Sequence, residues 1–187
     1  SLNQVDVDGG YTGWTPQVFV NRALEMARGL GIRKEAVLFE LDHAGPWLKD
    51  KHIEENYSYE EALNSVLKSL EAFLSAGFSL IHVDATIDVT RPEGVASSEV
   101  AAARTAELIS YAEDMARSID RHVGYEVGSD RWGYKSPEEL EAFLSRVVHE
   151  VGTTNTFFLR SNGTRMLQYH TLTLSKSLNT LMSIPSN

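Results

Sequence analysis

Helix-like and strand-like segments alternate along this chain, and that alternation restricts its fold more than any other property. Thr15-Pro16 pairs an N-cap residue with proline at the first helical position, where a missing N–H costs nothing. Val18, Phe19, Ala23, Leu24, Met26, Ala27 and Leu30 follow at helical spacing, and Gly29 and Gly31 mark the end. Val37 to Asp42 then reads as a short apolar strand that Ala44-Gly45-Pro46 cannot continue.

The unit repeats. Ser58 caps a helix of about seventeen residues closed by Gly77, and Ser79 to Asp84 is a strand. Ser97 or Ser98 opens an Ala-rich helix running through Met115, followed by the strand His122 to Val127. Ser136-Pro137-Glu138-Glu139 starts a further helix that ends at Gly152, and Thr156 to Arg160 is a fourth strand. Strands therefore begin near residues 37, 79, 122 and 156, each after a helix. This pattern predicts an α/β fold with a parallel sheet, either an open doubly wound sheet or a (β/α)8 TIM barrel. Neither G-x-G-x-x-G nor G-x-x-x-x-G-K-[ST] occurs, which removes the most specific argument for a nucleotide-binding open sheet. The segment from Met166 to Asn187 has only a loose apolar rhythm, with one short helix conceivable near Ser175 to Met182.

Composition narrows the partners. Seventeen Lys and Arg against twenty-six Asp and Glu give a formal charge of −9, with the basic residues scattered, so nucleic acid is a poor partner. No run of apolar residues is long enough to span a bilayer, and the first residues lack the profile of a secretory leader. The chain has no cysteine, so disulfides and Cys-ligated metals are excluded and a reducing, cytoplasmic setting is expected.

Both candidate folds place their chemistry at the carboxyl ends of the strands. The first strand ends in Asp42-His43, the second in His82-Val83-Asp84, and the third carries Glu126 before Gly128. Such a set supports metal-assisted or general acid–base chemistry on a sugar-like substrate. An imidazole binds Zn²⁺, a carboxylate moves a proton, and the ion polarises a carbonyl. His43 is the expected metal ligand and Asp42 the acid or base. Asp84 supports the ligand or accepts a substrate hydroxyl, and Glu126 is a metal ligand or proton carrier. His82 contacts substrate if it shares the interior face with Asp84, whereas a slip of one residue buries it among helices. Asp42-His43 can equally cap a loop. Gly9 to Trp14 is a glycine-rich loop before a helix, a plain turn or a place for an anion, and Gly10 and Thr12 are its candidate substrate contacts. His52 falls in a charged loop, His122 at a strand start and His149 on a helix face, and none of them is assigned chemistry.

Taken in order, Asn3-Gln4-Val5, Gly9-Gly10-Tyr11-Thr12-Gly13, Thr15-Pro16, Leu41-Asp42-His43 with Gly45-Pro46, Ala76-Gly77-Phe78, Ile81 to Ala85 and Glu126-Val127 resemble the tagatose-1,6-bisphosphate aldolase GatZ/KbaZ-type subunit family. The resemblance runs from residue 1 to about 165. It implies a (β/α)8 barrel, cytoplasmic hexitol or amino-sugar catabolism and kinship with class II, metal-dependent aldolases. It carries the acid/base carboxylate onto Asp42 and a zinc-ligand histidine onto His43, with Glu126-Val127-Gly128 near the metal. The further histidine motifs of class II aldolases, Gly-x-x-His-Gly and His-Gly-Ala, do not occur, and His170 is the only histidine downstream of His149.

Two functions follow from the resemblance. One is a metal-dependent lyase or 4-epimerase acting on a ketohexose phosphate. The other is a non-catalytic subunit that binds and stabilises a class II aldolase within an oligomer. A TIM barrel takes about 250 residues, so four or five β/α units correspond to a partial barrel over residues 1–165, with 166–187 as a divergent tail.

Overall fold

The structure, a computed structural model, describes residues 1–129, 137–152, 157–161 and 167–169. Among them the order is α1 (Pro16–Gly29), β1 (Glu40–Ala44), α2 (Asp50–Glu54), α3 (Tyr59–Ala76), β2 (Leu80–Val83), α4 (Ser98–Ser118), β3 (Gly124–Ser129), α5 (Pro137–Val151), β4 (Phe157–Ser161) and β5 (Leu167–Tyr169). His170 and the segment near Ser175 to Met182 lie outside the described residues.

The helices start where their caps dictate. Thr15 caps α1 and Ser97 caps α4. At α3 a full capping box forms: the Ser58 hydroxyl accepts the Glu61 N–H, and Glu61 accepts the Ser58 N–H at 2.8 Å. Gly77 closes the same helix with φ 113, a left-handed value that suits glycine. Replacing Ser58 with alanine is expected to cost about 1 kcal/mol, which a thermal melt should register as a fall of roughly 2–4 °C.

β1 to β4 run parallel in chain order, and β5 pairs antiparallel with β4. The strand expected at 37–42 begins three residues and ends two residues further on, and Ala44 belongs to it. Leu38 is exposed, so the apolar stretch before residue 40 is an approach to the sheet, and β1 continues through a bulge between Leu41 and Ala44.

Strand order equal to chain order has a geometric result. Right-handed crossovers that never reverse direction set their helices on one face of the sheet, and α1, α3, α4 and α5 pack in that sequence as one layer. Leu41, Ile81 and Tyr125 form a row across β1, β2 and β3 and are fully buried. The Tyr125 hydroxyl donates to Glu113 of α4 at 3.2 Å, so this row faces the helices. Val66, Leu70, Phe73 and Leu74 of α3 and Leu108, Ile109 and Ala112 of α4 share its core. Phe73 meets Phe78 edge-on with ring centroids 4.6 Å apart.

Candidate metal centre

One residue along each strand, the opposite face carries the polar set. His82 stands in register with Glu126, and its Nδ1 lies 3.1 Å from Asp42 Oδ1. Alternation along a strand therefore puts Asp42, His82 and Glu126 on the face away from the helices, which resolves the question of the slip: His82 is not buried among helices. Asp84 lies just past the end of β2. Its Oδ1 accepts the backbone N–H and the hydroxyl of Thr86, at 3.1 and 2.5 Å. Its Oδ2 lies 3.3 Å from His43 Nδ1.

That last contact orients His43. A carboxylate accepts, so the proton sits on Nδ1 and the lone pair of Nε2 is directed elsewhere. His43 Nε2 is 3.8 Å from Asp42 Oδ1, and the rings of His43 and His82 stand 4.5 Å apart. His43 has φ 57, a left-handed backbone uncommon for a residue with a side chain.

Ligand atoms of Asp42, His43 and His82 lie within 4.8 Å of one another. Two imidazoles and a carboxylate are a donor set suited to zinc and similar ions. With metal–ligand distances of about 2.1 Å, tetrahedral donors stand about 3.4 Å apart, close to the observed 3.1 and 3.8 Å from Asp42 Oδ1. His82 is 1% exposed, so its ring is held in place by its surroundings. The residues thus fit a divalent cation. Glu126, expected as a second ligand beside His43, lies in the same row next to His82 but outside this three-residue set.

The glycine loop occupies a different place. Gly10 has φ 51, and a Cβ there would fall 2.7 Å from the carbonyl oxygen of Asn3, so only glycine fits. The Thr12 hydroxyl donates to the Gln4 carbonyl at 2.8 Å. Gly10 borders a cleft of about 250 Å³ with Asp8, Tyr11, Lys49, Asp50 and Lys51. Lys49, buried, reaches Asp6 at 2.7 Å and Asp8 at 2.8 Å. Burial alone would lower its pKa, but these two carboxylates outweigh it and leave the ammonium more basic than usual.

Two groups near the site escape a reading of the sequence. Arg104 of α4 lies over the rings of Tyr59 and Trp47, at 4.2 and 5.5 Å, and pairs with Asp88 at 3.1 Å, tying together the segments that follow β1 and β2. His52, expected in a charged loop, lies instead in α2 and is 1% exposed. Its neighbours Lys51, Ile53 and Glu54 are exposed, so α2 turns one residue inward from an otherwise solvated stretch.

Residues 1–132 match the family described as D-tagatose-1,6-bisphosphate aldolase subunit GatZ/KbaZ-like. A D-tagatose 6-phosphate 4-epimerase of Agrobacterium fabrum is 34% identical over 118 residues, covering 62% of this chain and 26% of that protein. A D-tagatose-1,6-bisphosphate aldolase subunit GatZ of Escherichia coli is 30% identical over 131 residues, covering 68% of this chain and 30% of its own length. Among solved structures, a probable tagatose 6 phosphate kinase from Sinorhizobium meliloti superposes with a TM-score of 0.67 at 27% identity, over 80% of this chain and 36% of that one. The chain thus spans about a quarter to a third of the length of these relatives. No helix among the described residues is long and apolar enough to cross a membrane.

Proposed function

Since this chain belongs to the D-tagatose-1,6-bisphosphate aldolase subunit GatZ/KbaZ-like family, we propose that Asp42, His43 and His82 hold a divalent cation, Zn²⁺ in the first instance, for lyase or 4-epimerase chemistry on a ketohexose phosphate. The observation that carries this reading is the convergence of their ligand atoms within 4.8 Å at the carboxyl end of β1 and β2, with Asp84 behind His43. When bound, such a cation supplies a Lewis acid for the oxygen of a substrate carbonyl or hydroxyl.

The chain's own residues do the rest. Asp84, held by Thr86, orients His43 and fixes its tautomer. Asp42 is the most open of the set and moves a proton between substrate and solvent. Glu126, in register with His82, is the second candidate proton carrier of the set. A (β/α)8 barrel that included these parallel strands would place all of them on its inner face.

The test is a titration of the chain with Zn²⁺ and Co²⁺, joined to turnover of D-tagatose 6-phosphate and D-tagatose 1,6-bisphosphate. One cation is expected per chain, and His82→Ala should weaken its binding at least tenfold. Chelation should abolish turnover; turnover that survives it removes the metal mechanism.

The name of the Escherichia coli relative, a subunit, favours a second reading. In it the chain binds and stabilises a catalytic class II aldolase. Co-expression would then raise that aldolase's activity even with Asp42 and His43 both replaced by alanine, and no effect would dismiss it.

A further inference from the structure

His52 sits behind the turn that follows β1. Its ring stacks on Tyr57, with centroids 5.3 Å apart and planes inclined by 23°. Its Nδ1 accepts the backbone N–H of Trp47 at 3.2 Å, which places the ring proton on Nε2. Burial first, and the nearby Lys49 ammonium second, push its pKa down to about 4, so the ring is neutral near pH 7 and Nδ1 stays an acceptor.

The conformation it holds is an uncommon one. Trp47 has φ 60, a left-handed backbone that is costly for an aromatic residue and persists only where surrounding contacts impose it. Its indole N–H donates to the Tyr57 carbonyl at 2.9 Å, and its ring meets Tyr59 at 5.8 Å. Two residues before it, the backbone of Gly45 crosses the end of β2 so closely that a Cβ would lie 1.8 Å from the carbonyl oxygen of Asp84. Two residues before that is His43, itself left-handed and in contact with the Asp84 carboxylate. The segment from 43 to 47 is therefore strained at both ends and pressed onto Asp84 in its middle.

We propose that His52 is a positioning residue for the Asp42–His43–His82 cluster: by accepting the Trp47 N–H it holds the left-handed turn that seats Gly45 on Asp84 and keeps His43 directed at Asp42 and His82. The inference rests on the reading of that cluster as the functional centre, but its structural half stands apart from any metal.

The experiment uses three variants of the full chain. His52→Asn keeps an acceptor near the place of Nδ1, His52→Gln moves the acceptor one bond further out, and His52→Leu removes it. With Co²⁺ as probe, the Leu and Gln variants are expected to bind at least tenfold more weakly than the parent and to shift the visible absorption of the ion. The Asn variant should bind within about threefold of the parent, a rescue that a purely space-filling role would not produce. Equal Co²⁺ affinity in the Asn and Gln variants overturns the proposal, and that comparison stands even if the Leu variant fails to fold. Should the parent itself bind no Co²⁺, the metal reading fails while the proposal is still decided by crystal structures of the Gln and Asn variants. Loss of the His43–Asp84 contact in Gln and its retention in Asn support it, and an unchanged His43 in Gln overturns it.

Discussion

Replacing Gly45 with alanine should destabilise this protein by more than about 3 kcal/mol, the upper part of the range for forced overpacking. The added methyl carbon would fall 1.8 Å from the carbonyl oxygen of Asp84, and the Asp84 carbonyl carbon would be 2.8 Å away. Both neighbours are backbone at the end of a parallel strand, so neither can swing aside as a long side chain would. Relief requires β1 and β2 to part at their carboxyl ends, where the Asp84 N–H donates to the Ala44 carbonyl at 3.0 Å. A melting temperature lower by roughly 6–12 °C is expected, together with loss of cation binding, since His43 and Asp84 would separate. A variant that melts within 2 °C of the parent would show that the loop has somewhere else to go.

Asp42→Asn should act on chemistry rather than on folding. The carboxylate is partly open to solvent and lies on the polar face, and asparagine keeps both its volume and an oxygen in the place of Oδ1. What asparagine cannot do is take up or release a proton. On the proposed chemistry, turnover of a ketohexose phosphate should fall at least about a hundredfold, within the range attributed to general acid–base groups, while the melting temperature stays within about 2 °C. Co²⁺ affinity should fall less than turnover does. If turnover persists within threefold, Asp42 carries no proton and the role passes to another carboxylate.

Much of the fold could be read from residues alone because its punctuation is local. Ser58, Gly77 and Ser97 act on the backbone within one turn of themselves, so α3 begins and ends, and α4 begins, where those residues say, while α4 runs on past Met115 to Ser118. β1 was less readable for a physical reason. An apolar run from Val37 looks like a strand, yet pairing with β2 rather than hydropathy decides which part joins the sheet, and that partner is forty residues away. The strand-end acids and histidines were legible as a row, since parallel strands in chain order align their ends. Which imidazole meets which carboxylate was not: His43 partners Asp84 and His82 partners Asp42, a crossed arrangement that depends on a bulge and a left-handed histidine. His52 was missed because a single inward residue in a five-residue helix gives no period to detect.

The strand order also sets a timetable. Among the described residues no later strand inserts between earlier ones, so the pairing of β1 with β2 is not reopened as β3 to β5 are added. The contacts of the cluster join residues 40 and 41 positions apart, all of them ahead of β3 in the chain. Val83 ends β2 and Phe157 begins β4, a separation of 74 residues. At roughly 5–20 residues per second, synthesis takes about 4–15 s to cover that distance. On the ribosome the chain thus has the material for this cluster seconds before the fourth strand exists.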